Sequence, residues 1–148
     1  MKLTFLFLLI ITWSCVSPTE RTATYLQADE FAARGLPFSE AVRFGDLLFL
    51  SGQIGDLTET GELVPGGIIP ETNQTMKNIQ DVLERNGSSL DKIIKCTCML
   101  ADIGEWAAMS KEYVKYFPDH KPARSAFAGT GLVLGARVEI ECIAYVNN

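Results

Sequence analysis

The sequence predicts an α+β domain in which a mixed β-sheet carries two helices packed on one face. Three observations carry this. A late segment alternates apolar and polar residues with period two, the mark of a strand with one face buried. Two earlier segments space their apolar residues as amphipathic helices do, and a short apolar run separates them. A Gly-Asp pair between two apolar runs marks a hairpin. The chain has 148 residues, 47% hydrophobic and 21% charged, which suits one globular domain and excludes disorder as its dominant state.

The elements follow in order. Residues 41–44 and 47–52 flank Gly45 and Asp46 and read as paired strands. Residues 55–70 hold Gly55, Gly61, Pro65, Gly66, Gly67 and Pro70 and read as a loop. Residues 71–86 place Met76, Ile79, Val82 and Leu83 on one helical face, with Gly87 as the stop. Residues 93–101 are short and apolar, a strand. Residues 106–117 set Trp106, Met109, Tyr113 and Phe117 along one face of a second helix, closed by Pro118 and Pro122. Residues 124–129 are a further candidate strand. In the last segment, 136–146, Val138, Ile140, Cys142 and Ala144 face one way and Arg137, Glu139 and Glu141 the other. The order is ββαβαββ. Two helices cover only one sheet face, so the pattern calls for another copy of the chain against the other face.

The N-terminal residues read as targeting. Lys2 precedes an almost unbroken apolar stretch from Leu3 to Ile11, too short to span a bilayer and of signal-peptide length. Ser14 directly before Cys15 suggests a bacterial lipoprotein, with residues 1–14 as the signal, Cys15 as the lipidated residue and 15–23 as a tether to a domain at 24–148. The expected location is the periplasm or cell envelope. A secreted protein cut nearby, an uncleaved anchor and a cytoplasmic protein are the alternatives.

A net charge of −5 argues against nucleic acid as a partner. With one histidine, His120, and no CxxC pair, the chain lacks a zinc set, and no metal is expected. Cys96 and Cys98 sit two apart in a strand, about 7 Å between Cα atoms, too far to bridge; they read as core packing.

Few residues carry chemistry. Arg124 stands where a loop feeds a strand, and its planar guanidinium suits a carboxylate; a surface arginine paired with an acid is the plainer alternative. Glu139 is a candidate general base in a closed site, and a solvated strand residue otherwise. Ser51 has no adjacent base, and nothing specific points to a Ser-His-acid triad with His120. Gly129-Thr130-Gly131 with Gly135 misses dinucleotide-motif spacing and reads as a hairpin connection.

Three blocks resemble the RidA/YjgF family of imine deaminases. They are residues 35–42 (GLPFSEAV), residues 50–54 (LSGQI), and residues 122–125 (PARS) followed by 138–144 (VEIECIA). The order and spacing of these blocks span residues 36–146. The resemblance implies a chorismate-mutase-like fold in a homotrimeric barrel, sheets inside and helices outside, with ligand sites between subunits. It implies hydrolysis of 2-imino acids and their enamine tautomers to 2-oxoacids and ammonia, without metal or organic cofactor. It assigns catalysis to Arg124 and Glu139, the substrate carboxylate to Arg124, and pocket lining to Phe38, Ser51, Gly52 and Ala126. Phe38 stands where many members carry Tyr, Ala126 where many carry Cys, and Ser110 near a frequent Asn. The alternative function is a non-catalytic trimer that binds small carboxylates in the same cleft.

Overall fold

The computed structural model describes residues 22–146. Its elements are β1 (Ala23–Leu26), α1 (Asp29–Ala33), β2 (Ala41–Phe44), β3 (Leu47–Leu50), β4 (Gln53–Ile54), α2 (Ile68–Arg85), β5 (Ile93–Leu100), α3 (Trp106–Tyr113), β6 (Ala123–Ala128) and β7 (Val138–Tyr145). One sheet holds every strand, in the order β1-β2-β3-β7-β5-β6, with β4 also pairing β7. All pairs are antiparallel except β5 and β6. A parallel pair needs a crossover, and α3 lies in it.

The α+β class and both main helices stand as expected. The sequence reading missed β1 and α1, both short and only weakly patterned. Helix α2 starts three residues before the expected Glu71, at Ile68. Pro70 falls in its first turn, where the missing N–H breaks no helical hydrogen bond. The expected strand 47–52 ends at Leu50 as β3; beyond Ser51 and Gly52 the short β4 follows, and both strands pair with β7.

The core lies between the sheet and α2 and α3. Leu48, Leu50, Cys98, Leu100, Val138 and Ile140 of the strands bury against Met76, Ile79, Leu83 and Met109 of the helices. The reading of Cys96 as core packing alone is corrected. Cys96 is bonded to Cys142, its direct partner in the antiparallel register, with Cα atoms 4.2 Å apart. The comparison of Cys96 with Cys98 overlooked this cross-strand neighbour. Cys98 remains a free, buried thiol.

The sheet's other face is uncovered and carries many apolar side chains beside Glu139 and Glu141. Leu47 and Phe49 pair with Tyr145 and Ile143, and Met99 pairs with both Phe127 and Glu139, which places these side chains on the face away from the helices. Phe49 is 40% exposed and Phe127 50%. Residues 1–14 and Cys15 lie outside the described residues.

Candidate functional site

Glu139 projects from β7 on the uncovered face, where Ile54 of β4 is its register partner. Its carboxylate lies over the break between β3 and β4. A Cβ placed on Gly52 would stand 2.0 Å from Glu139 Oε1, so only glycine leaves room for it. Burial, followed by the neighbouring Glu141 charge, raises the Glu139 carboxyl above the ordinary glutamic acid range. A carboxylate shifted this way holds and releases a proton nearer neutral pH.

Ser51 supports the same corner. Its N–H donates to the Glu40 carbonyl at 3.0 Å and its hydroxyl to the Ser39 carbonyl at 2.7 Å. These two bonds fix the segment behind Phe38, whose ring meets Phe31 edge-on with centroids 5.9 Å apart. The hydroxyl is therefore engaged with the backbone. Phe38, Gly52 and Glu139 line one cavity of about 430 Å³, and Leu134 forms part of its wall.

Arg124 lies elsewhere. It sits on β6 opposite Cys96, on the face that carries the helices. Its Nη2 donates to Ser110 Oγ at 2.9 Å. The guanidinium carbon lies 5.5 Å from the Trp106 ring centre and 5.0 Å from that of Tyr113. Three residues of one face of α3 thus hold one arginine flat, with its remaining N–H groups available to an anion. Ala126 is two residues on, beside Cys98. Burial pushes the Cys98 thiol up to about 11, against the pull of Arg124, so it is not a nucleophile near neutral pH.

Within one chain the sequence-assigned residues therefore form two groups. Phe38, Gly52 and Glu139 line the cavity, with Ser51 bracing the backbone beside it; Arg124 and Ala126 lie on the opposite side of the sheet. Sequence reasoning missed Trp106 and Tyr113 as partners of Arg124. Their spacing with Ser110, at i, i+4 and i+7, was the available signal.

The family described as endoribonuclease L-PSP matches residues 28–146. Reactive Intermediate Deaminase A, chloroplastic, of Arabidopsis thaliana is 40% identical over 73% of this chain, a match that spans 58% of that protein's length. Protein HMF1 of Saccharomyces cerevisiae is 42% identical over 83% of this chain and 95% of its own. The 2-iminobutanoate/2-iminopropanoate deaminase of Capra hircus is 40% identical over 73% of this chain and 79% of its own. Among solved structures, that of YEO7_yeast superposes with a TM-score of 0.79 at 40% identity, covering 85% of this chain and all of that one. Escherichia coli TdcF with bound serine gives a TM-score of 0.71 at 29% identity, over 76% of this chain and 90% of that one.

These findings correct the reading of an exported lipoprotein. The yeast relative is matched over 95% of its length by the domain, leaving almost nothing outside it, and the plant relative's name places it in a chloroplast. Lipidation of Cys15 is withdrawn. Among the described residues no helix is long and apolar enough to cross a membrane.

Proposed function

This chain belongs to the endoribonuclease L-PSP family, the group that includes the RidA and YjgF proteins, and on that premise we propose that it hydrolyses 2-imino acids to 2-oxoacids and ammonia. The observation that carries the proposal is the division just described. A carboxylate of raised pKa lines a cavity on one side of the sheet, and a stacked, oriented arginine waits on the other. Each is half of a site, and a trimer of residues 24–148 joins them by setting Arg124 of one copy beside Glu139 of the next. Trimerisation also gives the uncovered face its partner. The named deaminases among the relatives support the reaction, and the serine in the E. coli structure supports a ligand of amino-acid size.

The chemistry follows from the two groups. Arg124 donates two parallel N–H groups to the substrate carboxylate, in ground and transition state alike. Phe38 provides an apolar wall, and the backbone at Ala126 faces the reacting nitrogen. A water oxygen adds to C2 of the protonated imine while Glu139 takes one of its protons. The C2–N bond of the resulting amino alcohol then breaks. Glu139 returns the proton to the departing nitrogen, the hydroxyl proton is released to solvent, and the 2-oxoacid remains. A placed general base contributes roughly 10²–10⁴-fold, which suits a substrate that also hydrolyses unaided.

The test generates 2-iminobutanoate with an amino acid oxidase and follows its loss with and without the protein, beside an Arg124→Ala control. Faster loss that the control abolishes supports deamination. Binding of 2-oxobutanoate with no acceleration would instead identify a carboxylate-binding protein.

A further inference from the structure

The cavity beside Glu139 is larger and more apolar than a methyl or ethyl substituent requires. Its volume is about 430 Å³, and six apolar side chains line it: Phe31, Leu36, Phe38, Ile54, Val133 and Leu134. Apart from Glu139, the charged residues on the lining are Arg34 and Asp56, which lie 2.9 Å apart and satisfy each other, so neither is left to receive an ionised group. One wall is built at a cost. Leu134 has φ 58° and ψ 8°, the left-handed region, and among the described residues it is the only non-glycine with positive φ. A leucine pays steric strain there that glycine or asparagine would avoid. It is nevertheless 63% exposed within this chain, so burial against its own fold does not hold it in place. An unfavourable backbone that presents an apolar side chain on the wall of a cavity marks a position shaped by what enters the cavity.

We propose that Leu134, which lines the cavity together with Phe38, is a specificity-determining residue and that the cavity takes a branched or aromatic substrate side chain, as in 2-imino acids from leucine- or phenylalanine-type amino acids. The inference rests on the deaminase reading for the reaction, but the selection of the side chain is a property of binding. With its carboxylate on the neighbour's arginine and C2 at Glu139, the substrate's substituent extends into the apolar chamber. Each buried methylene strengthens binding by about fourfold. Relative to ethyl, an isobutyl group adds two carbons and a benzyl group five, and with imperfect fit offsetting part of the gain the advantage is roughly tenfold.

The test measures calorimetric binding of 2-oxobutanoate, 4-methyl-2-oxopentanoate and phenylpyruvate to the full chain. Turnover of the matching imino acids, made by an amino acid oxidase, is followed in parallel. The expected result is about tenfold tighter binding of the two larger acids. Leu134→Asn keeps the left-handed backbone and removes the apolar wall, and should bring the ratio to within about twofold of unity. Leu134→Gly should do the same, which separates the side chain from the backbone. A wild-type ratio at or below one, or an unchanged ratio in both variants, overturns the proposal. Preferential binding without hydrolysis of any imino acid would leave the pocket assignment standing and remove the deaminase reading. Hydrolysis of every imino acid at equal efficiency would do the reverse. Failure of all three acids to bind overturns both.

Discussion

The carboxylate of Glu139 rests against the bare Cα of Gly52: a methyl group built there would stand 2.0 Å from Oε1 and 2.8 Å from Cδ. Gly52 is thus a positioning residue for the proposed base. Gly52→Ala should swing Glu139 aside, lowering turnover by about 10²-fold, the scale for a catalytic group misplaced by an ångström. The clashing atoms end a flexible side chain, so the melting temperature should barely move. Unchanged turnover in a correctly folded Gly52→Ala protein would remove Glu139 from the reaction.

Replacing Glu139 by Gln should lower turnover at least tenfold and leave 2-oxobutanoate binding within a few-fold. It should also erase the acid limb of the pH profile, which in the wild type lies above the ordinary glutamate range. Stability should respond in the opposite direction. The folded state holds this proton more tightly than the unfolded chain, so ionisation costs stability above the folded pKa. It costs none below the unfolded value of about 4.3. Glu139→Gln should therefore melt higher than wild type at pH 8, with the gap closing as the pH falls toward 4.

Arg124 is held flat by two aromatic rings and the Ser110 hydroxyl. Arg124→Lys keeps the charge and loses the fork, and 2-oxobutanoate binding should weaken by roughly tenfold or more. Ser110→Ala removes only one restraint. Its effect should be a rise in KM of about fivefold, the worth of one hydrogen bond, with kcat little changed. Normal binding by Arg124→Lys would mean that the carboxylate is held elsewhere.

If the site is shared between copies, two inactive proteins should repair each other. Arg124→Ala and Glu139→Gln chains, unfolded together and refolded as a mixture, form rings in which about one interface in four joins an intact arginine to an intact glutamate. Activity should recover to roughly a quarter of wild type, and light scattering should give about three times the chain mass. No recovery in a mixture that sediments as trimers would place both residues in one subunit's site.

The Cys96–Cys142 bond closes a sequence separation of 46 residues. Removing it with Cys96→Ala and Cys142→Ala should cost about 4 kcal/mol by the loop-entropy relation, read as a lower denaturation midpoint. Cys98 should resist alkylation in the native protein at pH 7.5 and react once the chain is unfolded, because burial both shields it and raises its pKa.

Much of this architecture was legible where a face is strongly patterned. The alternation from Val138 to Ala144 and the row Met76, Ile79, Val82 and Leu83 fixed β7 and α2 because burial on one side leaves a periodic trace. Residues 23–26 and 29–33 leave almost none, being short and half exposed. Arg124 and Glu139 were candidates by residue type and position, each beside a plainer surface reading, and the family blocks singled them out. That they lie on opposite faces depends on register across β5, which no single segment encodes. The Cys96–Cys142 pair was hidden for the same reason: the partners are neighbours only once β5 and β7 are aligned. The left-handed turn at Leu134 breaks local preference, and a sequence rule that expects glycine or asparagine there passes over it.

The strand that carries Glu139 is the last of the seven to be made and yet lies inside the sheet, between β3 and β5. Before it arrives, the β1-β2-β3 meander and the β5-α3-β6 unit have no strand in common, and each exposes an inner edge with open hydrogen-bonding groups. Leu47 must wait for Tyr145, its register partner nearly a hundred residues later. Such pairing is slow to nucleate and exposes the chain to mispairing until it is complete. The nascent chain leaves the ribosome with its central place vacant, so folding and the assembly of subunits become possible only after β7 has emerged. The residue proposed to do the chemistry therefore travels on the segment that closes the fold.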